Sequence, residues 1–483
     1  METIQCSHCL QAAGNVVLRL FVFPDLKLLR HGPPCALLQI TGTVPKPRRA
    51  VLCRLKDPLK GDTIDHGLVL WFPGPHSFTG EDCVEFQVHG GPSVVASLLG
   101  ALGGLLGLRP AEPGDFAKRA FFNGKLDLTA VEGLADLIHA ETEAQRKQAL
   151  RQMEGDLGRL YDKWRADLVR LVAHVEAVID FGEDENIEDG ILDEVKLKVQ
   201  DLHRAVMEHL SDGRRGERLR AGVHVAIVGA PNVGKSSLLN ILCQRPAAIV
   251  SPHAGTTRDV LESALDICGY PVILSDMAGL RLAEDPVEQE GVRRALIRAT
   301  TADLKVLIGD VSELSWGLDN FNPHPLSEFV AKLVKLSPSA LQSDEVRRAL
   351  DSFSHDNTIV VLNKVDLLSQ PSPAMDDTSL CWVSCLTGDG ITQLTKAMKH
   401  HLERLCGSPE VGGPSITQAR HRTHLSKCAD SLDQFLACVE DERSVELAAE
   451  ELRVAIGHLG RITGKVGIEE ILDVIFKDFC IGK

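Results

Sequence analysis

The sequence has no excess of positive charge. Its 52 Lys and Arg residues face 67 Asp and Glu residues, which gives a net charge of -15 at neutral pH. Because a nucleic-acid backbone is neutralised by clustered Lys and Arg, this balance excludes binding of nucleic acid through overall charge. Any contact with RNA must therefore be local or shared with a partner.

The sequence also lacks a zinc-binding cysteine pattern and a run long enough to span a membrane. The 13 cysteines are scattered, and no second CxxC accompanies Cys6 and Cys9, so we expect reduced thiols in an intracellular compartment. The longest charge-free apolar stretch, residues 94–108, falls short of the roughly 18 residues that cross a bilayer. We interpret it as a buried amphipathic or core helix and expect no membrane span.

The length of 483 residues predicts about three domains. Short apolar runs at 35–40, 67–72 and 83–88, separated by Gly and Pro turns, favour a β-rich unit within a first domain of mixed α/β type. Apolar residues spaced by three and four from Leu150 to Val178 predict one long helix.

A different pattern begins after residue 216. Strands, Gly-rich loops and helices alternate as far as Ser384, as in a parallel sheet with crossover helices. Helical periodicity returns after the Gly/Pro-rich segment 407–414. It predicts one apolar face that contains Leu447, Leu452, Ala455, Ile456 and Leu459. The helices on both sides of the α/β segment are expected to pack together, with that segment inserted between them.

A phosphate-binding loop follows the predicted strand 224–228. Residues 229–236 match G-x-x-x-x-G-K-[ST], and a helix-compatible segment follows. In such a loop the backbone amides contact phosphate oxygens, Lys235 reaches the β- and γ-phosphates, and Ser236 ligates Mg²⁺. The predicted nucleotide contacts in this loop are Gly229, Asn232, Val233, Gly234, Lys235, Ser236 and Ser237.

Two further segments predict recognition of guanine. Asn363, Lys364 and Asp366 form Asn-Lys-x-Asp after the apolar strand 359–362. In GTPases this Asp accepts hydrogen bonds from guanine N1 and from the exocyclic amine, which adenine cannot supply. Ser384, Cys385 and Leu386 resemble the last loop that contacts guanine.

Two predicted switch segments lie between these motifs. Asp276 and Gly279 follow the apolar strand 272–274, where the carboxylate can hold Mg²⁺ through water and the amide can sense the γ-phosphate. Thr256 and Thr257 lie in Gly-Thr-Thr-Arg-Asp before the strand 260–266, and a hydroxyl, by preference that of Thr257, can complete the Mg²⁺ shell. Hydrolysis would release both segments.

Three other segments resemble one family. They are residues 78–91 (Phe-Thr-Gly-Glu-Asp through His-Gly-Gly), residues 119–128 (Arg-Ala-Phe-Phe-Asn-Gly-Lys-Leu-Asp-Leu) and the terminal Cys-Ile-Gly-Lys. Together with the nucleotide motifs they are similar to the tRNA-modification GTPases of the MnmE family in its animal mitochondrial form, over residues 67–483.

This resemblance implies a multidomain fold in which an α/β P-loop GTPase domain is inserted into an all-α helical domain, preceded by an α+β folate-binding-like N-terminal domain. The expected boundaries are 1–34 for an atypical N-terminal segment, 35–125 for the N-terminal domain, 126–218 and 407–483 for the helical domain, and 219–406 for the GTPase domain.

The resemblance also implies a function. The expected role is modification at C5, of taurinomethyl type, of the wobble uridine of mitochondrial tRNAs. The implied partners are an FAD-dependent subunit, tRNA and a second copy of the chain. The implied cofactors are GTP or GDP, Mg²⁺, K⁺ and a tetrahydrofolate derivative (5,10-methylene or 5-formyl), and the implied location is the mitochondrion.

Several residue roles follow only from the resemblance. Asn232 matches a residue that helps to bind K⁺ beside the phosphates, with Ser251, His253 and Thr256 lining the loop that holds the ion, and Glu288 matches a glutamate that orients the attacking water. For folate, Glu85, Lys125 and Lys483 match contact positions, and Cys480 matches a near-terminal cysteine for which a catalytic role is conceivable. From the residues alone, a solvated helix acid is the favoured interpretation of Glu288, and a small buried or reactive thiol with no chemical duty is at least as favoured for Cys480.

The sequence departs from the family pattern in its first 34 residues, at Gln39, where an arginine is expected, and at Met277, where threonine is usual. Two other functions stay open: an Era-like ribosome-assembly GTPase, and a regulatory module that uses nucleotide to control assembly. The Era-like function would require a basic RNA-binding domain, and residues 415–483 offer only the short basic run 420–422.

Overall fold

The computed structural model describes residues 2–4, 15–18, 33–105, 108–181, 191–243, 263–274, 288–313, 326–338, 340–368, 379–407, 413–440 and 445–466. The chain forms two compact units. The first consists of residues 1–135, 152–200 and 430–483, and the second of residues 136–151 and 201–429.

The first unit begins with a four-stranded antiparallel sheet in the order β2-β5-β4-β3. Its strands are β2 (Asn15–Leu18), β3 (Val51–Lys56), β4 (Thr63–Phe72) and β5 (Cys83–His89). The short strands β1 (Glu2–Ile4) and β6 (Leu108–Pro110) pair in parallel. Buried residues of β3, β4 and β5 form one apolar cluster with α1 (Pro33–Thr41) and α2 (Pro92–Gly103).

Helices make up the rest of the first unit. They include α3 (Asp115–Phe122), α6 (Asp156–Phe181) and α15 (Val445–Thr463). Four helices, α4 (Leu128–His139), α5 (Glu143–Met153), α7 (Ile191–Leu210) and α14 (Ala419–Glu440), run through both units. α6 packs on α15, although nearly 300 residues separate them in sequence. Two ion pairs accompany this contact: Arg453 with Glu176 and Lys465 with Asp162, each at 2.7 Å.

The second unit contains a six-stranded sheet in the order β12-β11-β10-β7-β9-β8. The strands are β7 (Val223–Gly229), β8 (Ser263–Ile267), β9 (Tyr270–Leu274), β10 (Leu304–Asp310), β11 (Thr358–Asn363) and β12 (Leu380–Trp382). All neighbouring pairs are parallel except β8 and β9. The two faces of the sheet belong to two separate apolar clusters.

Helices cover both faces of this sheet. α9 (Lys235–Cys243) and α13 (Ile391–Cys406) contribute to one cluster. α10 (Glu288–Ala299), α11 (Leu326–Leu333) and α12 (Asp344–Asp351) contribute to the other. The short helix α8 (Arg215–Ala221) leads into β7. A sheet covered on both faces explains why β10 and β11 consist of nearly continuous apolar residues.

Four local expectations were wrong. Residues 35–40 lie in helix α1, where Leu37 and Ile40 face the core three positions apart; a short apolar run does not distinguish a strand from a helix. The stripe from Leu150 to Val178 is divided between α5 and α6, because Gly155 adopts φ +88° between them.

The other two corrections concern a helix face and a strand. Leu447 is 57% exposed, because the buried face of α15 runs through Ala448, Leu452, Ala455 and Leu459. The sheet of the second unit is mixed rather than wholly parallel, since a tight turn at Cys268 and Gly269 joins β8 to β9 as a hairpin. Helix α2 confirms the predicted core helix over most of residues 94–108. None of the helices in the described ranges is long and apolar enough to cross a bilayer.

Candidate nucleotide-binding site

The phosphate loop joins the end of β7 to the start of α9, as the sequence predicts. Neither of its two motif glycines leaves room for a side chain. A Cβ on Gly229 would lie 2.3 Å from the carbonyl oxygen of Ile308, and one on Gly234 would lie 2.2 Å from the amide nitrogen of Asn363. Gly234 also adopts φ +101°, which side-chain-bearing residues rarely reach. The loop backbone therefore runs where only glycine fits.

The Lys235 ammonium lies over this loop. Its Nζ atom donates hydrogen bonds to the carbonyl oxygens of Gly229 (3.0 Å) and Ala230 (2.6 Å). Lys235 and Ser236 are the first two residues of α9, so the ammonium and the first-turn amides gather at one helix N-terminus. Asn232 adopts a left-handed backbone conformation at φ +60°. Positive charge and backbone donors at one turn are suited to phosphate.

Asn363 ties three segments of the site together. Its side-chain amide donates to the carbonyl oxygen of Val233 in the phosphate loop (2.7 Å), and its amide oxygen accepts from the backbone N–H of Cys385 (3.0 Å). Asn363 itself is 2% exposed at the end of β11. The phosphate loop and the two predicted guanine loops, widely separated in sequence, thus meet at one buried side chain.

Asp366 and Ser384 form the next contact. The Ser384 hydroxyl donates to a carboxylate oxygen of Asp366 at 2.5 Å and accepts from the backbone N–H groups of Leu386 and Thr387. Ser384 is fully buried whereas Asp366 is exposed. Burial, reinforced by the Asp366 charge, raises the pKa of the Cys385 thiol. This loop therefore fixes Asp366 and leaves its carboxylate facing solvent.

Sequence reasoning missed Asp310. It ends β10, beside β11, and its carboxylate accepts a hydrogen bond from Lys364 Nζ at 2.5 Å and others from the hydroxyl and N–H of Ser312. Burial opposes ionisation of Asp310, but the bonds from Lys364 and Ser312 outweigh it and lower its pKa. An acidic residue at the carboxyl end of a buried parallel strand was the available signal.

Several predicted site residues lie outside the described residues: Ser251, His253, Thr256, Thr257, Asp276, Gly279, Met277, Cys480 and Lys483. Glu288 is the first residue of α10, and only its backbone is described.

Two of the family-like segments meet in the first unit. Arg119 donates to Glu81 at 2.8 Å, and the Asn123 amide donates to the carbonyl oxygen of Thr79 (2.8 Å) and to Glu81 (3.2 Å). A Cβ on Gly80 would lie 3.4 Å from Cγ of Lys125, so this exposed lysine lies beside the same turn. Glu85 lies on β5, half-buried, and Gln39 is exposed on α1.

Comparisons with known proteins agree with this arrangement. Residues 30–125 match the family model described as the N-terminus of the GTP-binding protein TrmE, and residues 128–480 match the MnmE helical domain.

Full-length relatives cover both segments. The chain is 53% identical to the mitochondrial 5-taurinomethyluridine-[tRNA] synthase subunit GTPB3 of Danio rerio, over 94% of this chain and 89% of that protein. It is 52% identical to the Homo sapiens protein of the same name, over 94% and 88%. It is 49% identical to the tRNA modification GTPase MnmE of Parvibaculum lavamentivorans, over the whole of both chains. Likeness of this extent shows that the chain belongs to the MnmE family of tRNA modification GTPases.

Proposed function

We propose that the chain binds and hydrolyses GTP and is the GTPase subunit of a complex that modifies the wobble uridine of mitochondrial tRNAs at C5, with a taurinomethyl group as the product. The names of the vertebrate relatives, which are mitochondrial 5-taurinomethyluridine-[tRNA] synthase subunits, support this activity and this location.

The junction at Asn363 carries the proposal. One buried amide holds the phosphate loop on one side and the Ser384 loop on the other, and Asp366 is fixed by Ser384 with its carboxylate exposed. A nucleotide with its phosphates on α9 would therefore meet Asp366 with its base. The carboxylate accepts from N1–H and from the exocyclic amine of guanine, whereas adenine has no donor at either position.

The described residues also have the chemistry to hold the phosphates. Lys235 is kept inside the loop by its bonds to Gly229 and Ala230, where it neutralises β- and γ-phosphate charge. The Ser236 hydroxyl, in the first turn of α9, is proposed to ligate Mg²⁺, and Thr257 and Asp276 are proposed to complete the Mg²⁺ shell. Mg²⁺, when bound, neutralises charge that develops on the phosphates.

The proposed hydrolytic machinery includes K⁺ and Glu288. The left-handed backbone at Asn232 supports a role for this residue at the loop, beside the phosphates, and Ser251, His253 and Thr256 are the other proposed K⁺ residues. A cation at this position stabilises transition-state charge where other GTPases use an arginine. Glu288, at the start of α10, is proposed to orient the attacking water and Gly279 to sense the γ-phosphate.

A folate site in the N-terminal domain completes the proposal. The contacts of Glu81 with Arg119 and Asn123 bring two family-like segments together beside Lys125, which supports a role for that lysine in binding a tetrahydrofolate derivative. Glu85 and Lys483 are its proposed companions, and Cys480 is proposed to act near them. The exposed amide of Gln39 replaces a charged donor and is expected to weaken this site.

The same proposal includes the partners and the domain boundaries. We infer an FAD-dependent partner subunit, a tRNA substrate and a homodimer. The proposed domains are an atypical segment 1–34, an N-terminal domain 35–125, a GTPase domain 219–406 and a helical domain formed by 126–218 and 407–483.

Complementation tests the proposal. Cells that lack the endogenous GTPase subunit should regain taurinomethyluridine at the wobble position of mitochondrial tRNA when they express this chain, and not when they express Lys235→Ala. Nucleoside mass spectrometry measures the modification. An unmodified wobble uridine, despite a folded protein that hydrolyses GTP, would contradict the tRNA function and leave the GTPase activity standing.

A further inference from the structure

Positive charge is concentrated at one edge of the N-terminal sheet. Residues 46–60 contain six of the chain's Lys and Arg residues and one carboxylate, in a protein whose net charge is -15. The six cations are Lys46, Arg48, Arg49, Arg54, Lys56 and Lys60, and all are exposed. We call this set the basic strip.

Strand geometry places the strip on a surface. β3 is the last strand of the four-stranded sheet, and its residues alternate between the core and solvent. Cys53 and Leu55 point into the core, and Leu52, Arg54 and Lys56 share the opposite face. The two cations on this face are spaced by about 7 Å along the strand, and the other four lie in the segments that flank it.

The protein's own acids leave much of this charge uncompensated. Arg48 donates to the carbonyl oxygen of His76 (2.9 Å), Arg54 donates to the ring of His66 (3.2 Å), and neither partner is a carboxylate. Lys60 reaches Asp57 only at 4.0 Å, and that carboxylate also accepts the N–H groups of residues 59 and 60.

The remaining three cations are Lys46, Arg49 and Lys56. Their side chains make no ion pair or hydrogen bond with the described part of the chain. Even paired surface cations add only about 0–1 kcal/mol to stability, so these three, unpaired among the described residues, contribute little to the fold.

The apolar residues beside the strip suit a nucleic acid. Leu52 and Leu68 are opposite each other on β3 and β4, and they are 69% and 38% exposed on the face that carries Arg54 and Lys56. RNA offers phosphates to the cations and ribose faces beside them, which the two leucine side chains can contact.

We propose that the basic strip binds the phosphate backbone of RNA, and that the RNA is the tRNA substrate. This inference depends on the proposed function, from which the tRNA is taken. It gives a chain of net negative charge a local RNA contact at the edge of the N-terminal sheet, remote in sequence from the GTPase motifs.

The test uses the full-length protein and a transcribed tRNA with a uridine at the wobble position. The triple variant Lys46→Glu, Arg49→Glu, Lys56→Glu removes the three cations whose side chains make no ion pair or hydrogen bond within the described ranges, so it should leave the fold intact. The control Lys163→Glu, Lys396→Glu, Lys427→Glu changes the net charge by the same amount at exposed lysines elsewhere. The affinity for the transcript is measured by fluorescence anisotropy between 50 and 200 mM KCl, with the melting temperature and GTP hydrolysis as checks.

The strip variant should bind the transcript about ten- to a hundredfold more weakly than the control variant at 100 mM salt. Its plot of log affinity against log salt should be shallower by about 2 to 3, since each lost phosphate contact removes about 0.7–0.9 from the slope. Both variants should hydrolyse GTP at the wild-type rate.

Equal affinities and equal slopes for the two variants would overturn the inference. So would a strip variant that keeps its tRNA affinity but no longer associates with the partner subunit, since the strip would then serve a protein. If the wild-type protein does not bind the transcript at all, the proposed tRNA function fails together with the strip.

Discussion

Single side chains hold the loops of the candidate site together, and the sequence motifs predict only some of these contacts. The Asn-Lys-x-Asp motif identified Asn363 as a residue of a guanine loop, and its 2.7 Å bond to Val233 ties that loop to the phosphate loop. The partner of Lys364 could not be predicted, because Asp310 lies 54 residues away and comes near only through the parallel pairing of β10 with β11. Sequence motifs identify the residues that contact a ligand more readily than the residues that position those contact residues.

The ion pair between Asp310 and Lys364 predicts an effect on nucleotide affinity. Asp310→Asn removes the charge that holds the Lys364 ammonium beside the guanine loop. The affinities for GTP and GDP should fall equally, by about tenfold, with little change in kcat, because such a bond contributes about 1–2 kcal/mol. Isothermal titration calorimetry measures the affinities.

A double-mutant cycle provides the control. In a Lys364→Met background, Asp310→Asn should have almost no further effect, since the two changes remove the same interaction. Additive losses in the double variant would contradict a positioning role for Asp310.

Helices and strands follow the apolar periodicity where a pattern is long, and depart from it where one residue decides. The strand and helix that flank the phosphate loop lie where they were predicted. The break at Gly155 and the helix at 35–40 were missed. The spacing of apolar residues shows neither the sign of φ at a glycine nor which element a short apolar run packs against.

A charged cluster joins three helices of the second unit. Arg422 of α14 donates to Asp212 (2.7 Å), to Glu217 of α8 (3.1 Å) and to the carbonyl oxygen of Leu210, the last residue of α7. All three charged side chains are 15–18% exposed. These bonds connect segments about 210 residues apart.

Arg422→Gln should therefore destabilise the second unit. It leaves two poorly solvated carboxylates without their shared cation, with Arg214 remaining 3.6 Å from Glu217, at a cost of about 2–3 kcal/mol. Thermal unfolding measures the change. The matched control is Arg453→Gln, which also removes an arginine from two carboxylates but at 48% exposure, and it should cost less than about 1 kcal/mol. Equal losses in the two variants would contradict the account.

His209, which interacts with the charged cluster of Arg422 and Asp212, predicts a dependence of stability on pH. Burial lowers the pKa of His209 to about 4; Asp212 opposes this shift, and Arg422 and His421 add to it. The unfolded chain takes up this proton near pH 6.5 and the folded chain does not, so the stability is complete above pH 6.5 and is lost as the pH falls toward 4.

His209→Gln removes the titrating group and should flatten this profile. Between pH 7.5 and 5.5 the wild-type protein should lose about 1 kcal/mol more stability than the variant. Urea unfolding at both pH values measures the difference. Parallel profiles for the two proteins would show that His209 is not buried as a neutral group.

At the scale of the whole molecule, the sequence predicted the insertion of an α/β GTPase domain into a helical domain. α6 precedes the inserted sheet in the sequence and α15 follows it, and the two helices pack together as the helical periodicity of both segments predicted. Motif order made the GTPase class predictable, because the phosphate loop and the two guanine loops must meet around one nucleotide. Contacts within the N-terminal domain were less predictable, since Glu81, Arg119 and Asn123 meet only in the folded chain.

The proposed K⁺ requirement predicts how GTP hydrolysis by the full-length protein depends on the salt present. GTP hydrolysis by the wild-type protein should be at least about tenfold faster in KCl than in NaCl at the same ionic strength, because the proposed K⁺ would stabilise transition-state charge where other GTPases use an arginine. Asn232→Ala should abolish the difference while leaving the melting temperature near the wild-type value. Equal rates of phosphate release in the two salts would contradict the K⁺ role.

Guanine recognition by Asp366 is the central claim, and it is tested most directly by comparing nucleotides that differ only in their base. Xanthine carries a carbonyl in place of the exocyclic amine of guanine, so Asp366→Asn offers it a donor where the wild-type protein offers a carboxylate. Calorimetric titration of both proteins with GTP, ATP and XTP should show that the wild type prefers GTP and that the variant loses about ten- to a hundredfold in GTP affinity while gaining affinity for XTP. A wild-type protein that binds ATP as tightly as GTP, or a variant with unchanged preference, would contradict the account.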